Sequence, residues 1–293
     1  MNILVTGATG HLGKRLLAHL RQMESFNIFG LSRRPDAILP EGICLKTGDL
    51  LDVTALIEAT RDIDTIVHLA AVTHSDNRRD YDAVNYGGTL NLVQAAQENR
   101  VKKIIFISSR TASLQGGAYA VSKYQAEKAI ADFDQDWLIL SPSEIYGAGI
   151  DEALSKVVGW VKKTPVLPIP GRGNYRLSPV LVDDVIEVII TALIKNGNRK
   201  KYILAGPEEF TLKEIIKLIA IKLNRSIILL PVPIALITWI SFLLTIFKIN
   251  LLVPDQIARL AVCKPSDIEP ARTDFKFDPV RFEVGLNQII GGK

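Results

Sequence analysis

Short apolar runs alternate with helical patterns along the first half of this chain, and no other feature restricts its fold as strongly. NILVTG is followed by a helical pattern over 12–21 and then by FNIFGLS; ICLKTGD precedes VTALIEAT; DTIVHLAA, a helix over 87–99, KKIIFISS, a helix over 118–131 and WLILSPS complete the series. Runs apolar at nearly every position suit strands buried on both faces. Strands separated by helices predict an α/β fold, a doubly wound parallel sheet with right-handed crossovers.

The turn after the first run sharpens that expectation. TGATGHLG follows the strand directly and opens the first helix, with Gly7, Gly10 and Gly13 three residues apart. Gly7 allows a tight turn, Gly10 lets backbone approach a pyrophosphate, and Gly13 permits helix and sheet to pack closely. The helix N-terminus offers free N–H groups and partial positive charge to phosphates. The sheet is therefore read as Rossmann-type, with a dinucleotide as ligand.

After Tyr146 the alternation weakens. A helix over 152–162 leads into TPVLPIPGRGNYRLSPV, which is dense in Pro and Gly and reads as loop. LVDDVIEVIITALI is helical, KYILAG is a strand, and TLKEIIKLIAIKL is a helix whose Thr211 and Glu214 form a capping box. The tail reads as short helices. The expected organisation is a dinucleotide-binding domain of residues 1–147 plus about 178–205, with a smaller substrate-binding domain of 148–177 and 206–293. No charged residue occurs over 226–247, but Pro231 and Pro233 leave only 234–247 as a continuous helix. Such a helix spans about 21 Å, short for a bilayer crossing. It reads as buried or pocket-lining, with membrane-surface contact as the alternative.

Composition excludes several function classes. A net charge of +4 from scattered basic residues argues against a nucleic-acid surface and remains compatible with an anionic small ligand. Two cysteines build no disulfide framework, and four histidines without metal-ligand spacing argue against a catalytic metal. His68, in an apolar run, reads as a core histidine and His74, after a strand end, as an exposed one, with pocket lining as the alternative. The first strand begins at residue 2 and leaves no room for a secretory leader, so the expected location is cytoplasmic.

ISSRTASLQGGAYAVSK, residues 107–123, carries the candidate chemistry. Tyr119 and Lys123 lie one turn apart on one helix face. An ammonium beside a phenol favours the phenolate, which can exchange a proton with a substrate hydroxyl or carbonyl. A second pair, Tyr124 and Lys128, has the same spacing but sits about 140° around the helix. Tyr119 is in the first turn, beside the strand ends where ligands bind in such sheets, and is the candidate catalytic tyrosine.

Taken together, these segments resemble the extended short-chain dehydrogenase/reductase family, the NAD-dependent epimerase/dehydratase group, over nearly the whole chain. MNILVTGATGHLG is similar to its nucleotide loop, which implies cofactor contacts from Gly7, Thr9, Gly10, His11, Leu12 and Gly13. GDLLD resembles the segment in which Asp49 and Leu50 approach the adenine. VHLAA resembles the strand whose end, Ala70 and Ala71, lines the cofactor. VNYGGTLNLVQAA is similar to the helix that begins with Asn85, and SPSEIYG to the segment touching the nicotinamide through Pro142 and Ile145. The pattern Tyr-x-x-Ser-Lys with a Glu four residues on fits Tyr119, Ser122, Lys123 and Glu127. The resemblance implies Ser109 as the hydroxyl partner, with Ser108 as its neighbouring alternative, and lets Lys123 also hold the nicotinamide ribose. The segment between Ser109 and Tyr119 is shorter than is usual in the family, which leaves substrate identity open.

The second run ends in Ser32, Arg33 and Arg34, with no acidic residue to hold a ribose 2′-hydroxyl. A guanidinium at Arg33 matches a 2′-phosphate, so NADP is expected ahead of NAD. The family implies hydride transfer at a hydroxyl or keto carbon of a nucleotide sugar, whose diphosphate Arg172 and Arg176 could meet. The C-terminal arginine of many nucleotide-sugar members has no clear counterpart; Lys264 is nearest. The apolar stretch at 234–247 fits a lipid-like, steroid or polyprenyl-linked substrate instead. A non-catalytic dinucleotide-binding module, serving as redox sensor or assembly subunit, is the reading from another class. The partners compatible with the sequence are a small-molecule substrate, a membrane surface reached through 234–247 and a second copy of the chain in a homodimer.

Overall fold

A computed structural model describes residues 1–150, 153–195, 199–237, 254–262 and 264–290. Seven parallel strands form the main sheet: β1 (Asn2–Thr6), β2 (Asn27–Ser32), β3 (Cys44–Thr47), β4 (Thr65–His68), β5 (Lys103–Ile107), β6 (Asp136–Pro142) and β11 (Lys200–Leu204). Their spatial order is β11-β6-β5-β4-β1-β2-β3. Every pairing is parallel, as the unbroken apolar runs predicted. Chain order reverses between β1 and β4, which opens a crevice at the carboxyl ends of the strands.

Period-two alternation divides the core between the two sheet faces. Ile3 and Val5 pack with Leu16, Leu17 and Leu20 of α1 (His11–Leu20) and with Val185, Ile186 and Ile189 of α7 (Val182–Ile194). Leu4 faces the other way, with Leu56 of α2 (Val53–Thr60), Leu92 and Ala96 of α4 (Gly88–Glu98) and Ala126 and Ile130 of α5 (Gly117–Ala131). A third core lies beyond the sheet. It joins Val157, Val158 and Val161 of α6 (Ala153–Lys163) to Ile215, Ile216 and Ile219 of α8 (Leu212–Lys222), with Tyr146 and Phe282.

Two local expectations need correction. The helix expected over 87–99 begins earlier, with α3 (Arg78–Asp80) and a π-helical stretch over Tyr81–Gly87 ahead of α4. Asn77 starts it by accepting from the Arg79 N–H at 3.1 Å, a capping role its sequence neighbours obscure. The segment read as loop contains β8 (Val166–Pro170), which pairs in parallel with β13 (Ile228–Val232). Pro168 and Pro170 are tolerated because alternate residues of β8 bond β13. The Ile228 N–H reaches the Pro165 carbonyl and the Gly171 N–H reaches that of Val232, both at 2.8 Å, so the two prolines fall on the outer edge. β9 (Arg176–Leu177) pairs antiparallel with β12 (Phe210–Thr211), and β10 (Val180–Leu181) pairs with β7 (Ile145–Tyr146).

Of the apolar stretch 234–247, residues 238–247 lie outside the described residues. Among the described residues no helix is long and apolar enough to cross a membrane.

Candidate active site

A cavity of about 550 Å³ opens at the carboxyl ends of β1, β4, β5 and β6. Gly7, Gly10, His11, Leu12 and Gly13 line one part of it, with Leu69 and Ala71 from the end of β4; Ser108, Ser109, Tyr119, Lys123, Pro142 and Ile145 line the centre. A volume of this size suits an extended organic ligand.

The glycine loop fits a dinucleotide. Gly7 has φ +69°, and a Cβ there would meet the Ala70 backbone N at 2.8 Å. A Cβ on Gly13 would collide with the Gly7 carbonyl and meet the Ala8 Cα at 3.0 Å, so α1 can approach the loop only without a side chain at this position. No side chain caps α1, which leaves its first N–H groups facing the cavity for phosphate oxygens.

A buried polar chain holds α5 against the sheet. Thr6 Oγ1 meets His68 Nδ1 at 2.7 Å, and His68 Nε2 meets Thr89 Oγ1 at 3.0 Å. Thr89 donates its hydroxyl proton to the Asn85 carbonyl at 2.5 Å, so it accepts from His68, which fixes the Nε2–H tautomer. Burial, helped by the Lys123 charge, lowers the His68 pKa to about 3 and keeps it neutral, the core role the sequence suggested. The Asn85 amide brackets Val72, accepting from its N–H at 2.7 Å and donating to its carbonyl at 3.0 Å. It also donates to Ser122 Oγ at 3.1 Å, and Ser122 donates on to the Tyr119 carbonyl at 2.9 Å. Asn85 is buried and does not line the cavity; it braces the Tyr119 turn.

Lys123 is 2% exposed. Its ammonium donates to the Ile107 carbonyl at 2.6 Å and lies 4.1 Å from the Phe106 ring centroid. Burial pulls its pKa down to about 7, against the opposing pull of Glu127. Glu127 accepts from Ser108 Oγ at 2.6 Å, from Ser141 Oγ at 3.3 Å and from Lys201 at 2.7 Å, tying α5 to the strand ends. Ser108 is thereby engaged in structure. Ser109 Oγ meets Thr111 Oγ1 at 2.9 Å in the cavity wall. Tyr124 and Lys128 contact each other, ammonium to ring at 4.9 Å, and do not line the cavity.

Sequence reasoning missed Arg259. It lies on α9 (Pro254–Ala261), with its guanidinium carbon 3.8 Å from the Tyr119 ring centroid. Nε donates to Asp255 Oδ2 at 2.8 Å and Nη2 to the Thr73 carbonyl at 2.9 Å. Asp255 Oδ1 in turn accepts from the Tyr119 N–H at 3.3 Å, and a Cβ on Gly117, at φ +87°, would collide with that carboxylate. The spacing of Asp255 and Arg259, one turn apart on a helix, was the available clue. Lys264 instead bonds Glu144 at 2.9 Å, opposite Arg110 at 3.1 Å. Burial pushes the Glu144 carboxyl up, but those two charges outweigh it and hold the pKa below the usual carboxylate range.

Other expected contacts fall outside the lining. Thr9 and Ala70 adjoin it without lining it, Leu50 packs on Gly88, and Asp49 accepts from the Leu51 N–H at 3.0 Å. Arg33 is exposed just past the end of β2. The structure does not bring Arg172 or Arg176 to the cavity: Arg172 is exposed, and Arg176 pairs with Glu209 at 3.2 Å on the surface. The far end is walled by Val157, Trp160, Pro168, Pro170, Leu212 and Leu260; Lys156, His74 and, beside Tyr119, Arg259 are further basic groups of the lining. His74 is exposed as expected, yet it lines the cavity.

The model of the NAD dependent epimerase/dehydratase family matches residues 3–205. UDP-glucose 4-epimerase of Vibrio cholerae is 25% identical over 260 residues, which cover 80% of this chain and 79% of that protein. The N-acetyl-alpha-D-glucosaminyl-diphospho-ditrans,octacis-undecaprenol 4-epimerase of Escherichia coli O157:H7 is 27% identical over 263 residues, covering 80% and 77%. The structure of UDP-glucuronic acid 4-epimerase from Bacillus cereus, in complex with UDP-glucuronic acid and NAD, superposes with a TM-score of 0.80. It covers 99% of this chain and 98% of that one at 21% identity, a likeness of fold.

Proposed function

The chain belongs to the NAD dependent epimerase/dehydratase family, and we propose that it is an NAD(P)-dependent oxidoreductase or epimerase acting on a sugar carried by a diphosphate. The observation that carries this reading is a single cavity lined both by the uncapped glycine-rich turn of α1 and by Ser109, Tyr119 and Lys123. Both relatives named above take their names from a sugar on a diphosphate.

A bound dinucleotide supplies a hydride acceptor and donor. Gly7, Gly10 and the first turn of α1 hold its phosphates, and Lys123 is within its own helix turn of Tyr119 to hold its ribose. Tyr119 takes the proton of the substrate hydroxyl as that carbon is oxidised and returns it on reduction. Ser109 donates to the same oxygen. Arg259, beside Tyr119, and Lys156 meet the substrate's anionic part in the cavity. The third core, behind Val157 and Leu212, serves as the substrate side of the molecule.

Supplied with dinucleotide and a panel of UDP-sugars, the protein is expected to change the sugar's configuration or its oxidation state. Chromatography of the sugars, with near-ultraviolet absorbance for reduced nicotinamide, reads both outcomes. Tight dinucleotide binding with neither change, for UDP-sugars and hydroxysteroids alike, would support the non-catalytic module instead.

NADP is the dinucleotide we assign. Ser32 accepts from the Arg34 N–H at 3.1 Å, which turns the chain so that Arg33 and Arg34 stand exposed after β2. Replacing both arginines by serine is expected to weaken NADP about tenfold or more while leaving NAD within about twofold, since a charge-assisted phosphate contact is lost and no NAD contact is. Calorimetric titration of both dinucleotides checks this; equal losses for the two would refute a 2′-phosphate role.

A further inference from the structure

The two-stranded sheet of β8 and β13 has one face in the third core and one in solvent. Leu167, Ile169 and Leu229 point inward. The register pairs Val166 with Ile228, Pro168 with Leu230 and Pro170 with Val232 on the opposite face. A solvated sheet face ordinarily carries polar side chains. Here every residue is apolar, and Val166, Ile228 and Leu230 are 44%, 66% and 53% exposed. The apolar surface continues past the strands: Ile234 approaches Gly171 at the end of β8, and both Ile234 and Leu236 are exposed. A contiguous exposed patch of this kind marks an interaction surface.

Its charge setting identifies the occupant. Residues 153–182 and 215–254, which supply both strands, α6 and all of α8 after its first turn, contain lysines and arginines but no Asp or Glu; Glu214, in that first turn, is taken up by the capping box with Thr211. Lys162, Lys163 and Arg225 are exposed immediately ahead of the two strands, with the Arg225 guanidinium donating to the Lys162 carbonyl at 3.1 Å. Arg172, which does not reach the cavity, is exposed in the turn just after β8. An apolar face rimmed by cations and free of acids matches the interface of an anionic bilayer, where apolar side chains enter the acyl boundary and basic ones meet the headgroups. The sequence after β13 stays uncharged to residue 247, which extends the same character.

We propose that the outer face of the β8–β13 sheet docks this protein on an anionic phospholipid surface. Pro168 and Pro170 belong both to that face and to the cavity wall, and Trp160 of the wall is itself 41% exposed. The cavity therefore opens at the lipid interface. Under the reaction proposed above, that mouth admits a sugar diphosphate whose apolar tail stays in the bilayer. The docking itself does not depend on that reaction.

Co-sedimentation of the full chain with vesicles of phosphatidylcholine, alone and mixed with phosphatidylglycerol, tests the docking without any substrate. The protein is expected to pellet with the mixed vesicles and to be released by salt. Ile228→Asp and Leu230→Asp should each lower partitioning about tenfold or more, because a charge replaces an inserted apolar side chain. Lys163→Gln and Arg225→Gln should each lower it several-fold on the mixed vesicles and leave the neutral ones unchanged. Both aspartate variants change exposed positions, and unaltered circular dichroism and melting establish that they fold. No pelleting with mixed vesicles would overturn the proposal. So would a concentration-dependent dimer, seen by light scattering and abolished by Leu230→Asp, that leaves vesicle binding intact. Vesicle binding without any sugar turnover would retain the docking and reject the reaction.

Discussion

Tyr119→Phe is expected to lower turnover by about 10²–10⁴-fold, the usual contribution of a positioned general acid–base group. Dinucleotide affinity should stay within about twofold, because none of the glycine-loop residues that line the cavity is touched. The change removes one oxygen and keeps the ring. The ring holds Arg259 at 3.8 Å and meets Tyr81 edge-on at 6.1 Å, so the seat of α9 survives. The Tyr119 backbone contacts with Ser122 and Asp255 survive as well. A loss of rate with unchanged melting and unchanged cofactor binding would thus report chemistry rather than folding. Tyr124→Phe is the matched control. It has the same spacing to a lysine, but it lies outside the cavity, and its turnover should match wild type within about twofold. If Tyr119→Phe kept full activity on a substrate that the wild type converts, the proton would have to travel through another group, and the role assigned to Tyr119 would fall.

The sheet and its glycine loop were legible because their causes are local. Strands buried on both faces must be apolar throughout, and Gly13 must be glycine because a Cβ would strike the preceding turn. Tyr119 and Lys123 were legible for a related reason, since one helix turn fixes their spacing. What the sequence hid depends on long-range placement. Arg259 reaches Tyr119 from α9, over a hundred residues away, and its only local trace is Asp255 one turn earlier. Arg172 and Arg176 sit in a stretch of the expected composition, but the β8 turn carries Arg172 to the surface and Glu209 holds Arg176. The prolines of β8 suggested loop, because edge direction within a pair of strands leaves no mark in composition. The exposed apolar face of that sheet was equally hidden, since alternation reveals which residues share a face but not which face is covered.

Lys123→Met is expected to make the protein more stable and inactive at once. Burial lowers the folded-state pKa of Lys123 from 10.5 to about 7, while the unfolded chain keeps the ordinary value. Between those values the unfolded state binds more protons than the folded one, so wild-type stability rises as pH increases from about 7 toward 10.5. At neutral pH folding must either strip the proton or bury the charge. The bond to the Ile107 carbonyl and the Phe106 ring only partly offset that cost. Methionine has similar length and no charge, and can pack in the same place over the Phe106 ring. The variant should gain on the order of 1–3 kcal/mol near pH 7, after allowing for the lost hydrogen bond. That corresponds to melting higher by several degrees in a chain of this size. The gain should shrink as pH rises toward 10.5 and vanish above it, where wild-type Lys123 is neutral in both states. Turnover should fall about 100-fold or more, because the charge proposed to hold the ribose and support the phenolate is gone. Thermal melts of both proteins across that pH range decide the matter. A variant that melts lower than wild type at pH 7, with the same pH slope, would mean that the fold already compensates the Lys123 charge. The energetic cost assigned to this side chain would then be wrong, whatever the variant does to catalysis.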